Sequence, residues 1–301
     1  MVVRAALIVL PLLLAAAARG QERPAAPVPA ELPPAETPSG IGKRVPTIDE
    51  LILFQPAKYP RGYYDQRPEA CQEVWFTSED KTRLHGWYAA ASERPVGVVL
   101  YCHGNAGNVS LYGRWMEYLR TQQQLSVLVF DYRGYGRSEG FATVEGTIAD
   151  SKAARRELAR LAGVKSSDIV LWGRSLGGAM AVQLAADEAP SGLILESTFS
   201  SFRDVADVHR PAISWLVPED RLDSVTAIRK VRCPLLQWHG TADPLIPFRL
   251  GKKLYDAAAE PKILLTFEGG GHGGAPPEFE DRMRTFVRGL PRQVPAGAPA
   301  E

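Results

Sequence analysis

The sequence predicts an α/β domain built on a mostly parallel, doubly wound sheet. Two observations predict it: short, dense apolar runs and stretches of helical spacing between them. The first strands are expected as an antiparallel hairpin, because Glu73–Thr77 and Arg83–Ala89 flank the turn-like Ser78-Glu79-Asp80-Lys81. The apolar runs follow: Val98–Tyr101, Val127–Phe130, Ile169–Trp172, Leu193–Leu195, Leu235–Trp238 and Ile263–Leu265. Continuous apolar runs mark strands covered on both faces, as in a parallel sheet between helices. Helical spacing relates Ile148, Ala149, Lys152, Arg155, Arg156 and Ala159, then Leu176, Met180, Leu184 and Ala185, then Leu250, Leu254, Tyr255 and Ala258. Strand and helix in alternation give a doubly wound sheet. In such sheets ligands gather at the carboxyl ends of the strands.

Composition narrows the function classes. The 301 residues are 45% apolar and 23% charged, an ordinary globular balance. A net charge of +1 gives no field to attract nucleic acid or an anionic membrane. The three cysteines, Cys71, Cys102 and Cys233, form no C-x-x-C pair or His/Cys cluster, so no metal site is expected. Cys102 and Cys233 lie in or beside apolar runs and are expected as buried thiols, and a disulfide involving Cys71 is left open.

The expected domain occupies residues 47–292. Residues 1–20 have Arg4, an apolar run from Ala5 to Ala18 and a small-residue end, the pattern of a signal peptide. The run is short for a membrane span, which needs about 20 apolar residues. Export to the periplasm or medium is therefore expected, with no stable membrane span in the mature form; an uncleaved N-terminal anchor is the alternative. Residues 21–46 are a Pro/Ala-rich spacer and 293–301 a disordered tail by composition.

Gly173-Arg174-Ser175-Leu176-Gly177 reads G-x-S-x-G, between the run Ile169–Trp172 and a helical stretch. That strand–turn–helix context is what a nucleophile elbow needs, and it makes Ser175 the candidate nucleophile. A serine hydroxyl needs a base to take its proton. Of the five histidines, His85 lies inside a hairpin strand, His209 has no motif around it, and His103 and His239 each precede a glycine at a strand end. His272 remains, in the loop Glu268-Gly269-Gly270-Gly271-His272-Gly273-Gly274, after the last strand. Asp243 follows Leu235–Trp238 and is the expected carboxylate that fixes the histidine tautomer. Glu196, which ends Leu193–Leu195, is its competitor, with contact to nearby loop backbone as its other role. The order Ser, Asp, His suits this arrangement. The oxyanion is expected to meet two backbone N–H groups, those of Leu176 and Asn105.

Four segments, His103-Gly104-Asn105-Ala106, Asp131-Tyr132-Arg133-Gly134-Tyr135-Gly136-Arg137-Ser138, Gly173–Gly178 and His239-Gly240-Thr241-Ala242-Asp243, occur in order and together resemble the α/β-hydrolase-domain serine hydrolases. The branch is the one that includes serine aminopeptidase-like proteins and eukaryotic protein depalmitoylases. The likeness spans about residues 47–290. It implies an acyl hydrolase without metal or cofactor, acting on a small-molecule or lipid-like ester or thioester, with small peptides or amides as the alternative substrates. The segment Asp131–Ser138 would be a structural loop. One departure is that Gly273-Gly274 follow His272, where relatives often place Asn-Asp. The stretch from about 199 to 232 would be a short cap over an open pocket, its aromatics serving as an acyl lining or as cap packing. Arg174 and Arg203 are expected at the surface, with recognition of an acidic substrate group as the other role. A non-catalytic scaffold would require none of the three residue types at these strand ends.

Overall fold

The computed structural model describes residues 45–61 and 63–291. The expected signal peptide, all but the last two residues of the spacer, and the tail lie outside the described residues.

The sheet has eight strands, which we number in chain order. They are β1 Gln72–Thr77, β2 Arg83–Ala89, β3 Gly97–Cys102, β4 Leu125–Asp131, β5 Ile169–Arg174, β6 Gly192–Glu196, β7 Leu235–Gly240 and β8 Lys262–Phe267. Their spatial order is β8-β7-β6-β5-β3-β4-β2-β1. The β1–β2 and β2–β4 pairings are antiparallel and all others parallel. The helices are α1 Ile48–Leu53, α2 Gly113–Gln122, α3 Val144–Ala162, α4 Leu176–Asp187, α5 Phe202–His209, α6 Ser224–Ile228, α7 Phe248–Ala257 and α8 Phe279–Gly289. The sheet is therefore mostly parallel with helices on both faces, the fold class expected.

Strand periodicity sends alternate residues to opposite faces. Along β3, Val98, Leu100 and Cys102 join one core with Ala154 and Leu158 of α3 and Ala179 to Val182 of α4. Val99 and Tyr101 join the other core with Met116 and Leu119 of α2 and Met283 and Val287 of α8. Two apolar faces are why the runs read as continuous. Helix α3 has clear ends: the Thr143 side chain accepts from Gly146 N–H at its start, and Gly163 closes it at φ 66°.

The link from β6 to β7 carries α5, a 3₁₀ turn at Ser214–Leu216 and α6, where the cap was expected. Its aromatics divide. Phe199 and Phe202 are buried in the core, whereas Trp215 is 68% exposed. All three cysteines are buried and unpaired, which closes the question left open for Cys71. Burial pushes the thiols up, Cys71 to about 11 and both Cys102 and Cys233 to about 12, so none is a ready thiolate nucleophile.

Candidate active site

Ser175 stands between β5 and α4 with φ 52° and ψ −119°. A non-glycine residue there is strained, at a cost of about 1–3 kcal/mol, and persists only where its surroundings hold it. Three hydrogen bonds hold this one. Ser175 N–H donates to the Glu196 carbonyl at 2.8 Å, and the Ser175 carbonyl accepts from Gly178 N–H at 2.9 Å and from Thr198 Oγ1 at 2.8 Å. The flanking glycines are dictated by space. A Cβ on Gly173 would lie 2.3 Å from the Gly177 carbonyl, and one on Gly177 only 1.9 Å from the Cys102 carbonyl. Gly178 is pressed as closely on Thr198, whose Oγ1 would be 2.4 Å away. The turn is thus packed between two strand ends, and the G-x-S-x-G-G pattern is the sequence it requires.

Asp243 follows β7 and its side chain is fully buried. Its Oδ1 accepts from Leu245 N–H at 2.8 Å and Ile246 N–H at 2.9 Å. Its Oδ2 meets His272 Nδ1 at 2.8 Å. Burial by itself would raise this carboxyl, but hydrogen bonds to His239 and His272 outweigh it, and Asp243 is held well below the usual carboxylate range. An ionised acceptor of this kind fixes Nδ1 of His272 as the donor and leaves Nε2 unprotonated in the neutral ring. The His272 side chain is 20% exposed.

The structure thus brings Asp243 and His272 into direct contact. It sets the His272 loop against the residue preceding Ser175, because Arg174 Nη2 donates to the His272 carbonyl at 3.3 Å. Leu176 opens α4, and the first N–H groups of a helix have no intrahelical acceptor, so its N–H is free for an anion. On the opposite side, Gly104 packs on the serine: a Cβ there would be 3.7 Å from Ser175 Cβ. The Asn105 side chain turns the other way. Its Oδ1 accepts from Gln55 N–H at 2.9 Å and Tyr135 O–H at 2.8 Å, and its Nδ2 donates to the Leu53 carbonyl. These bonds tether the loop to the segment after α1.

The other histidines have partners of their own. His85 is clamped between Asp131, 3.0 Å from Nδ1, and Glu73, 3.1 Å from Nε2. Burial opposes its protonation, but the two carboxylates prevail and raise its pKa. His239 Nε2 donates to the Ile246 carbonyl at 2.7 Å, His103 Nδ1 meets the Gly104 carbonyl at 2.7 Å, and His209 Nε2 donates to the Leu245 carbonyl at 2.7 Å. Asp131 also accepts from Val109 N–H at 2.7 Å, which makes its loop a structural junction.

Arg174 and Arg203, expected at the surface, are partly exposed and engaged: Arg174 Nε lies 3.4 Å from Glu196 Oε1. Glu196 meets the loop backbone through its carbonyl, and its carboxylate serves Arg174. Burial pushes that carboxyl up to about 7 against the pull of Arg174. Arg203 donates to the Val217 carbonyl at 2.6 Å and so braces the β6–β7 link. A cavity of about 660 Å³ lies on the α2/α8 face, with Tyr101, Trp172, Arg174, Glu196, Trp238 and Pro276 among its lining. Ser175 and His272 are outside that lining, yet Arg174 and Gly274 border it. Among the described residues no cluster of His, Cys, Asp or Glu is arranged to hold a metal ion. No helix among them is long and apolar enough to cross a membrane.

Known proteins place this geometry in a family. A family model described as serine aminopeptidase, S33, matches residues 93–224, which include Ser175. The uncharacterized protein YfhR of Escherichia coli K12 is 33% identical over 270 residues, 82% of this chain and 93% of that protein. The lysophosphatidylserine lipase ABHD12 of Danio rerio is 33% identical over 221 residues, 64% of this chain and 56% of its own length. Among solved structures, the Pyrococcus furiosus esterase Pf2001 superposes with a TM-score of 0.62 at 20% identity, covering 78% of this chain and 96% of that one. The alpha/beta hydrolase domain-containing protein WAV2 of Arabidopsis thaliana is 32% identical over 213 residues, 65% of this chain and 69% of that protein, and this likeness makes the chain a member of the α/β-hydrolase family.

Proposed function

We propose that the protein is a serine hydrolase that cleaves carboxylic ester or thioester bonds through an acyl-enzyme on Ser175. The observation that carries this is the strained serine at the β5–α4 turn, with His272 held by a buried aspartate at 2.8 Å on the same end of the sheet. Strain of this type is stored where a side chain must be presented. In the proposed mechanism His272 Nε2 takes the proton of the Ser175 hydroxyl as its oxygen attacks the acyl carbonyl. Asp243 stabilises the imidazolium that forms. The N–H groups of Leu176 and Asn105 receive the oxyanion. His272 passes its proton to the leaving group, then takes one from the water that attacks the acyl-enzyme carbonyl, and returns it to Ser175 Oγ as the acid leaves.

An ester substrate is supported by the lipase and esterase among the similar proteins. The family model, a serine aminopeptidase, favours a second reading in which small peptides or amides are cleaved by the same groups. A p-nitrophenyl ester series of increasing acyl length, assayed beside a chromogenic aminoacyl amide, separates the two. Ester turnover should exceed amide turnover and fall to background in Ser175→Ala. Full turnover in that variant would remove Ser175 from the mechanism.

A further inference from the structure

The loop carrying His272 has five glycines in the seven residues from Glu268 to Gly274. Gly269 and Gly274 take φ of 69° and 88°. Glycine loses more freedom on ordering than any other residue, so the backbone of such a loop must be held from outside. Its start is held by the β7 turn: Gly269 N–H donates to Thr241 Oγ1 at 2.9 Å, and the Gly270 carbonyl accepts from Ala242 N–H at 3.0 Å. Its end is held by Trp238 Nε1, which donates to the Gly274 carbonyl at 3.3 Å. Between them, the backbone at His272 is held by Arg174 Nη2 at 3.3 Å. Gly273 packs on the same guanidinium, since a Cβ there would lie 3.3 Å from Nη2.

The guanidinium is itself anchored. Arg174 is the residue before Ser175, and its Nε faces Glu196 Oε1 at 3.4 Å. Glu196 also fixes Ser175, by accepting its N–H at 2.8 Å. One buried residue therefore ties down the serine through its carbonyl and, by way of Arg174, the histidine loop through its carboxylate. The planar fork of arginine suits this task, because one arm can face Glu196 while another faces the loop; a lysine ammonium is a single point.

We propose that Arg174 is a positioning residue that sets the His272 loop in register with Ser175, an inference that rests on the serine-hydrolase reading above. Asp243 governs the tautomer and tilt of the imidazole, and Arg174 governs where its backbone sits. The contending role is contact with a substrate group in the adjoining cavity, which Arg174 also lines. The two roles separate in kinetics: loss of positioning lowers kcat, and loss of ground-state binding raises KM.

The test compares wild type, Arg174→Met and Arg174→Lys by hydrogen exchange of the 268–276 peptide and by ester kinetics. Both variants should exchange faster in that peptide, with β5 and α4 unchanged. The kcat of Arg174→Met should fall by about 10- to 100-fold with KM within about twofold, as for a misplacement of order 1 Å. Arg174→Lys keeps the charge beside Glu196, guards against a folding defect, and should show the same loss of loop protection. Wild-type exchange in either variant would overturn the proposal, as would a raised KM at constant kcat. Should the wild type prove inactive on every ester, the serine reading fails while the exchange comparison still decides the role of Arg174.

Discussion

Gly177→Ala tests whether the serine turn is fixed by close packing of backbone on backbone. The added methyl would lie 1.9 Å from the Cys102 carbonyl oxygen and 2.5 Å from that of His103. Both obstacles are main-chain atoms at the end of β3, so no side-chain rotation relieves them. Reaching van der Waals contact requires α4 and the β3 loop to part by more than about 1 Å. Overpacking of this kind costs about 1–3 kcal/mol of stability. The catalytic consequence should be larger than the stability loss implies. Leu176 N–H moves with α4 and the Asn105 loop moves with β3, so the methyl separates the two proposed oxyanion donors. A displacement near 1 Å can reduce turnover by about 100-fold. Denaturant unfolding and ester kinetics on the same preparation give both quantities. Turnover within twofold of wild type at an unchanged unfolding midpoint would refute the packing argument and, with it, the pairing of Leu176 with the β3 loop.

Asp243→Asn should lower kcat by about 10³- to 10⁴-fold, because the amide leaves His272 without an anion to fix Nδ1–H. Ester kinetics measure it, and a loss below tenfold would transfer the role to another carboxylate. The depressed Asp243 carboxyl also contributes stability that is present above the ordinary aspartate value of 3.8 and lost as pH falls below it. Glu196 acts in the opposite sense. Its carboxyl rises from an ordinary 4.5 to about 7, so the native state keeps its proton longer than the unfolded chain does. Its contribution to stability therefore declines as pH rises between those values and is level above them. Denaturant midpoints at pH 5 and pH 8 should differ less in Glu196→Gln than in wild type, and an unchanged difference would place the titration elsewhere.

The fold was legible in the sequence wherever a strand is covered on both faces. Such a strand must be apolar throughout, so β3 to β7 stand out as runs, and the structure lengthens each by only a residue or two at an end; the edge strand β8 also reads as an apolar run although Ile263 is 41% exposed. The helices were legible only in part. Residues Leu176 to Ala185 are apolar enough to betray α4, but α2 buries little more than Met116 and Leu119 and begins on a glycine without a capping side chain. Helix α8 has Phe279, Met283 and Val287 four apart on its buried face, a spacing that carries its helical period. It follows a loop of glycine and proline that masks its start. The six-residue α1 has a local capping box, in which Thr47 N–H donates to Glu50 Oε2 at 2.8 Å, and is also held from outside: it buries Asp49 and Glu50, and Arg221 reaches Asp49 at 2.9 Å from 172 positions away.

The candidate site divides along the same line. Ser175 is announced by glycines whose spacing reflects local crowding, and Asp243 and His272 by their places after strands. Those are short-range facts, and a sequence records them. The Arg174–Glu196–His272 arrangement is not short-range, since Arg174 meets a carbonyl 98 positions away. A backbone carbonyl carries no residue identity, so no choice of side chain at 272 or 273 reveals its donor. An arginine next to a nucleophile is equally compatible, in sequence, with solvent, with a substrate anion and with a loop. Only the geometry at the ends of β5 and β6, where Arg174 faces the Glu196 carboxylate and the His272 carbonyl, brings the third into view. The same reasoning divides the glycines of the 269–274 loop: Gly269 and Gly274, at positive φ, let the chain turn, and Gly273 leaves the guanidinium room to reach the backbone.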